Sequence, residues 1–500
     1  MRQTMIPIIK AAKKYENRRA IIDETGEYSY AELFAAAKKV SAALLAGRDD
    51  LGEARIAFIT PPGFDYAAIQ WGCWLAGGVA VPLCLSHPLP EIEYVLNDTG
   101  AETVVVHPDF YEKMRSLMDR ENRRFLSTIV ALAAPESPLP VVGEHRRAMI
   151  LYTSGTTSKP KGVVTTHANI AAQITALTGA WEWSKDDHIL HALPLHHTHG
   201  IINALCCALW SGATCEMLPK FNAKIVWQRF IERPLTLFMA VPTIYARLID
   251  HWENSPPETQ AAMSAACQKM RLMVSGSAAL PVSVLEKWQR ISGHTLLERY
   301  GMTEIGMALS NPYRGQRRAG HVGQPLPGVT VRLVDENGGE ITEAGVTGEI
   351  QVKGPNVFLE YWQKPAATQA AFRDGWFLTG DMAIVEDGYY RIIGRSSVDI
   401  IKTGGEKVSA LEIEEVLRTH PAIKECAVVG VPDAQWGECV SAAVALKPGK
   451  SLTIDALRPW AKARLAGYKT PRRLKIVESL PRNVMGKVTK PAVKKLFESK

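Results

Sequence analysis

The sequence, 500 residues long, predicts an α/β protein built in two parts. The first is a large N-terminal domain of parallel α/β sheets that passes into a β-rich subdomain. The second is a small C-terminal α/β unit. Three observations lead there. Residues Arg55–His107 alternate short apolar runs with longer amphipathic ones, which is the pattern of βαβ units. From Val322 the texture changes to short strand-like runs split by Gly and Asn turns. After Gly394-Arg395 a fresh α/β pattern starts, so a boundary is expected near 395, giving domains 1–394 and 395–500.

The elements follow in order. The opening "MRQTMIPIIKAAKKYENRRA" has no apolar core of signal-peptide length. It predicts a first surface helix, with a short basic organelle presequence as the alternative. "RIAFIT", "VAVPLCL" and "ETVVVH" predict buried strands, with helices over "FDYAAIQWGCWLAG" and "PEIEYVLNDTG" between them. The uncharged run Ala67–Leu85 is long enough to cross a membrane. Gly77-Gly78 and Pro82 punctuate it, however, so a buried helix turning into a buried strand is expected, with no transmembrane segment. The alternation returns with "ATCEML", a helix near Ala223–Glu232, "LTLFMAV", a helix from Pro242, "MRLMVSGS", a helix at Val282–Ser292 and "HTLLERYG". The β-rich part comprises "VTVRLVDENGGE", "TGEIQVKG" and "GYYRIIGR". The last unit comprises "VSALEIEEVLRTH", "IKECAVVGVP", "VSAAVALKPG", "TIDALRPWAKARL" and "RRLKIVESLP".

Composition narrows the class. Hydrophobic residues make up 46% and charged residues 22%, the balance of a soluble globular enzyme. Eight Cys lie scattered in apolar surroundings without a CxxC pair, which predicts reduced, buried thiols and a cytoplasmic location. The net charge of +7 is uneven: Lys462–Lys500 holds 12 Lys/Arg against two Glu. Such a segment suits a polyanionic small molecule, a nucleic acid or plain solvation. No nucleic-acid motif accompanies it, so no nucleic-acid partner is expected.

The chemistry concentrates in Tyr152–Gly162, "YTSGTTSKPKG". An apolar strand runs into a Ser/Thr/Gly loop, then Lys, then a helix starting near His167. Backbone N–H groups and hydroxyls in such a loop form a concave anion site, and Lys adds a mobile positive charge. That suits a triphosphate, although the GxxxxGK[ST] spacing is not met. The His residues of "LPLHHTHG", Leu193–Gly200, suggest a metal site, but they offer no fourth ligand.

Five motifs in order resemble those of adenylate-forming enzymes, the superfamily of acyl-CoA synthetases, adenylation domains and firefly-type luciferases. They are the polar loop, "YGMTE" at Tyr300–Glu304, "TGD" at Thr379–Asp381, "GR" at Gly394-Arg395 with "GGEKVSALEIE", and "PRNVMGK" at Pro481–Lys487. The resemblance implies the adenylate-forming fold with a mobile C-terminal α+β domain, and ATP, Mg²⁺ and CoA as cofactors. It implies that Thr153, Ser154, Gly155, Thr156, Thr157 and Lys161 hold the ATP phosphates. Glu304, with Thr156, would bind Mg²⁺. Ser277, Ala278, Glu298, Tyr300, Gly301, Met302 and Thr303 would line the adenine and sugar, and Asp381 and Arg395 the ribose. Lys487 would be the catalytic lysine, placed where charge builds on the attacked α-phosphate. His197 would be the aromatic gate beside the substrate carboxylate, with His196 in place of the commoner Phe.

The acid is narrowed by Arg299, which stands before "YGMTE", and by Arg247 in "VPTIYARL". An Arg inside an acyl pocket needs an anion to offset its desolvation, and a second substrate carboxylate supplies one. Long-range wording, including "LPLHHTHGIINAL" and "TLLERYGMTE", resembles malonyl-CoA synthetases, which implies malonate or methylmalonate. Met307 joins His197, Arg247 and Arg299 as a substrate-binding candidate. The alternatives are a medium-chain or aromatic monocarboxylate ligase, an enzyme that loads a carrier protein, and an internal ion pair of Arg299 with Glu298. For the acceptor, Gly404, Gly405, Glu406 and Lys407 are expected along the CoA channel, with the hinge at Ser397 or Val398. Ser158 replaces the usual Gly of the loop. The sequence leaves the oligomeric state open.

Overall fold

The computed structural model describes residues 6–120, 123–153, 160–396, 398–403, 406–433, 435–483 and 487–498. The chain gathers into two compact units. One comprises Met1–Arg318, Gly323–Thr330 and Val352–Phe377; the other comprises Ala319–Val322, Val331–Gln351 and Leu378–Lys500.

The first unit holds two large sheets. A seven-stranded sheet runs Glu360–Tyr361, Lys161–Thr166, Arg147–Thr153, Val79–Pro82, Arg55–Ile59, Thr103–Val106 and Arg124–Ser127. Its last five strands are parallel, as the βαβ pattern predicts. These strands are buried on both faces, so they are continuously apolar rather than alternating. The intervening helices are Phe64–Leu75 and Leu89–Thr99. Phe64–Leu75 crosses Tyr30–Leu45 closely, and a Cβ on Gly72 would lie 2.5 Å from Val40, so only glycine fits there. Trp74 is buried against the sheet and its indole N–H donates to the Ala148 carbonyl at 2.8 Å. Ala67–Leu85 is therefore a buried helix and strand. Among the described residues no helix is long and apolar enough to cross a membrane.

The nine-stranded sheet has the order Gln324–Pro325, Gly306–Ser310, Leu297–Met302, Leu272–Ser275, Leu237–Ala240, His188–His191, Thr214–Met217, Arg19–Asp23 and Gly26–Ser29. Its central strands are parallel and its edges are closed by antiparallel hairpins. The helix at Val282–Ser292 has the bounds the sequence predicts. The N-terminal helix Pro7–Ala12 is more than a surface element, because Ile8, Ile9 and Ala12 are buried.

The second unit contains a sheet centred on Thr330–Val334, Gly348–Lys353, Trp376–Glu386 and Tyr389–Arg395. It also contains a five-stranded sheet of Glu406–Ser409, Ile400–Thr403, Gly437–Leu446, Ile423–Asp433 and Arg473–Ile476. Helices Ala410–Arg418 and Ile454–Lys462 cover one core there, built from Ile413, Leu417, Val428, Val440, Leu457 and neighbours. All eight Cys are free and buried.

Candidate active site

The polar loop joins two strands rather than a strand and a helix. Lys161–Thr166 pairs antiparallel with Arg147–Thr153, closing at Thr153 opposite Lys161, and the helix His167–Ala180 starts only after it. The β-branched pair in "GVV" suits a strand, and Val163 and Val164 are buried and pair with Tyr361 and Glu360 of the edge strand. Ser154, Gly155, Thr156, Thr157 and Ser158 lie outside the described residues. The base of the loop is braced from both sides. Tyr152 donates to Asp98 Oδ2 at 2.7 Å, Lys364 Nζ lies 2.8 Å from Asp98 Oδ1, and Trp362 donates to the Asp98 carbonyl at 3.1 Å. Tyr94 donates to the Pro160 carbonyl at 2.8 Å, just past the loop. Burial, reinforced by Asp98, raises the Tyr152 phenol far above its usual range, so it stays a neutral donor. Lys161 Nζ sits 4.1 Å from the centre of the Tyr361 ring, and the Tyr361 hydroxyl donates to Glu304 Oε1 at 2.9 Å. The loop lysine and the buried Glu304 thus meet on one aromatic ring. Sequence reasoning had no signal for Tyr361, because a lone tyrosine in a polar stretch has no characteristic spacing.

The second motif lies on the hairpin of Leu297–Met302 with Gly306–Ser310. Neighbouring side chains on a strand point to opposite faces, which separates Glu298 from Arg299. Glu298 Oε1 accepts the Leu280 N–H at 3.4 Å. Arg299 is 2% exposed, and its Nη2 donates to Ser277 Oγ at 3.1 Å. Ser277 Oγ in turn lies 3.3 Å from His199 Nδ1. Among the described residues no carboxylate pairs with Arg299, and its Nε has no hydrogen-bond partner. Burial lowers the guanidinium to about 9. Ser277 has a left-handed backbone, φ 69°, a strained conformation for a serine that holds its hydroxyl between the two bases. Gly276 makes room: a Cβ there would lie 2.6 Å from the Arg299 guanidinium. The alternative reading, an internal ion pair of Arg299 with Glu298, is therefore not formed.

Ala278 is exposed beside Ser277, and Tyr300, Gly301, Met302 and Thr303 are half-buried along the hairpin and its turn. Met307 is buried, with its N–H donating to Gln173 Oε1 at 2.6 Å. Arg247 lies on Pro242–Glu253 with its side chain exposed, in contrast to the buried Arg299.

His197 sits between the strand His188–His191 and a π-helix, His199–Cys206, a rare element common at functional sites. Its ring lies 4.0 Å from that of His196, which lies 6.2 Å from the ring of His87. Beside them is a residue the sequence did not single out, Cys84. Burial works against its thiolate, yet hydrogen bonds from His196 and His87 bring the thiol down to about 5. Burial instead raises Cys73, Cys206, Cys207, Cys215, Cys267 and Cys426.

The remaining candidates belong to the second unit. Arg395 Nε donates to Asp381 Oδ1 at 2.8 Å across paired strands, so the third and fourth motifs meet directly. Ser397, Gly404 and Gly405 lie outside the described residues. Glu406 and Lys407 start a strand that pairs with Ile400–Thr403. Lys487 closes a tight turn: its N–H donates to Asn483 Oδ1 at 3.0 Å and its carbonyl accepts the Asn483 N–H at 2.9 Å.

Comparison with known proteins covers nearly the whole chain. The model of the AMP-binding enzyme family matches residues 8–362, and that of the AMP-binding enzyme C-terminal domain matches residues 412–487. The mitochondrial malonate–CoA ligase ACSF3 of Mus musculus is 47% identical, over 99% of this chain and 91% of that protein. The malonate–CoA ligase of Arabidopsis thaliana is 42% identical, over 97% of this chain and 87% of that protein. The crystal structure of ATP-bound MatB from Rhodopseudomonas palustris superposes with a TM-score of 0.91 at 35% identity, covering 99% of both chains.

Proposed function

The chain belongs to the AMP-binding enzyme family, and we propose that it is an ATP-dependent acid–CoA ligase acting on malonate or methylmalonate. Similarity to malonate–CoA ligases over nearly the whole chain supports the reaction class. The observation that carries the choice of acid is Arg299: a buried cation held by a neutral hydroxyl, with no carboxylate beside it among the described residues. A cation so placed is costly unless its ligand brings the anion. The distal carboxylate of a 1,3-dicarboxylate supplies that charge in a geometry a guanidinium can grip with two donors.

In the first half-reaction a carboxylate oxygen attacks the α-phosphorus of ATP and pyrophosphate leaves. Ser154, Thr156, Thr157 and Lys161 hold the β- and γ-phosphates, with Lys161 steadied over Tyr361. The Lys487 ammonium meets the charge that grows on the attacking oxygen and the phosphate. His197 orients the carboxylate, Met307 closes the acid pocket, and Arg247 adds positive charge to it. Asp381 holds the ribose hydroxyls, with Arg395 fixing the Asp381 carboxylate. In the second half-reaction the CoA thiol attacks the acyl carbon, loses its proton, and AMP leaves. The Gly404–Lys407 segment borders the pantetheine, and the basic residues of 462–500 attract the CoA phosphates.

Magnesium fits the donor set. Glu304 is a buried hard-oxygen ligand oriented by the Tyr361 hydroxyl, and Mg²⁺ takes most of its other ligands from phosphate and water. Bound there with Thr156, it would neutralise the departing pyrophosphate. The cytoplasmic location expected from the buried thiols is part of this proposal, beside animal relatives named as mitochondrial.

Pyrophosphate release with ATP and Mg²⁺, measured on a panel of malonate, methylmalonate, succinate, acetate, octanoate and benzoate with and without CoA, tests the reading. CoA-dependent turnover with malonate or methylmalonate is expected. Turnover confined to octanoate or benzoate would refute the dicarboxylate assignment.

A further inference from the structure

Lys490 stands three residues beyond Lys487, at the start of the helix Lys490–Lys495, and its side chain is 12% exposed. Three acceptors surround its ammonium. Glu414 Oε1 is in close contact, the Val428 carbonyl lies at 2.6 Å, and Asp399 Oδ1 lies at 3.4 Å. Glu414 is nearly buried and is itself fixed, accepting the Val428 N–H at 2.8 Å and pairing with Arg418 at 3.1 Å. Asp399 makes three further hydrogen bonds, two to Arg395 and one to the start of the helix Ala410–Arg418. Its Oδ2 accepts the Arg395 N–H at 3.1 Å, its N–H donates to the Arg395 carbonyl at 2.8 Å, and its carbonyl accepts the Ala410 N–H at 2.8 Å. The turn that carries Lys487 is closed just before Lys490, where the Thr489 N–H donates to the Pro481 carbonyl at 2.9 Å.

We propose that Lys490 is a positioning residue that locks the Lys487 turn to the hinge segment Arg395–Asp399 and to the helix Ala410–Arg418. A polar chain then runs unbroken from Asp381 through Arg395, Asp399 and Lys490 to Glu414. Asp381 and the catalytic turn are thereby tied into one framework that passes through Arg395 and Asp399. Lys487 is a long, flexible side chain whose effect depends on where its turn is held, so an error of about 1 Å at that turn costs on the order of 100-fold in rate. The structure of the second unit assigns that holding role to a buried, charge-compensated lysine. This inference rests on the assignment of Lys487 to acid adenylation.

The test separates the half-reactions. K490M is expected to lower malonate-dependent pyrophosphate–ATP exchange by on the order of 30-fold, as displacement of a reacting group does. Thioester formation from chemically prepared malonyl adenylate and CoA should stay within about threefold, which also shows that the variant is folded. K490R should recover most of the exchange rate. In a K487A background K490M should cost nothing further, because residues acting as one unit are not additive. Equal losses in both half-reactions, or an additive loss on top of K487A, would overturn the proposal. Exchange that survives K487A would instead overturn the adenylation role of Lys487 itself.

Discussion

Arg299 is buried with no carboxylate beside it among the described residues, and under the proposed function it sets the choice of acid. R299A should cut kcat/KM for malonate by on the order of 100-fold, about 3 kcal/mol, while acetate turnover holds or improves. Equal losses on both acids would show a structural role only. Burial lowers the guanidinium to about 9, so its charge is complete only well below that pH, is half lost there and disappears as pH rises further. Malonate kcat/KM should therefore fall above about pH 9 relative to acetate, since this parameter reports the free enzyme. Cys84 gives a second pH signature. Its thiol lies near 5 because His196 and His87 outweigh burial, so whatever rate access allows, its alkylation by iodoacetamide should be independent of pH near neutrality and fall as pH falls through about 5. A rate still climbing toward 9 would mark an ordinary thiol.

At the scale of elements, the hairpin that presents Arg299 and Glu304 depends on glycine. A Cβ on Gly301 would lie 2.0 Å from the Gly306 carbonyl oxygen, and a backbone atom cannot step aside. G301A should cost about 3 kcal/mol, lower the melting temperature and abolish adenylation. Unchanged melting would mean that the hairpin tolerates a shift. The same hairpin shows what local pattern can and cannot give. Parallel strands, the Val282–Ser292 helix and the motif order were all legible, because each is written in apolar runs, turns or contiguous residues. The strand Lys161–Thr166 was not, since six residues with a lysine at one end carry a weak period. Nor was the His199–Ser277–Arg299 chain. It joins three segments distant in sequence and depends on a left-handed serine that no pattern predicts.

For the whole molecule, the expected boundary near 395 turns on which residues share a core. By contacts, the β-rich strands group with the C-terminal residues, and Ser409 Oγ bonds the Ile393 carbonyl. The apolar clusters divide differently. One is built around Ile401, Val408, Ile413, Val428, Val440 and Leu465, and the other around Val429, Val431, Leu480 and Val493. Both are composed wholly of residues beyond 400 and lie against one five-stranded sheet. Hydrophobic burial, rather than a single hydrogen bond, decides whether a segment folds alone, because one such bond contributes only about 1 kcal/mol. A fragment of residues 396–500 is therefore expected to be monomeric, to melt in one cooperative step and to keep slow amide exchange in Ile423–Asp433 and Gly437–Leu446. It should catalyse neither half-reaction, because Lys161, Arg299 and Glu304 lie outside it. A fragment without a cooperative transition would place the folding boundary before the β-rich strands instead, and the expected boundary at 395 would then lie inside a folding unit rather than between two.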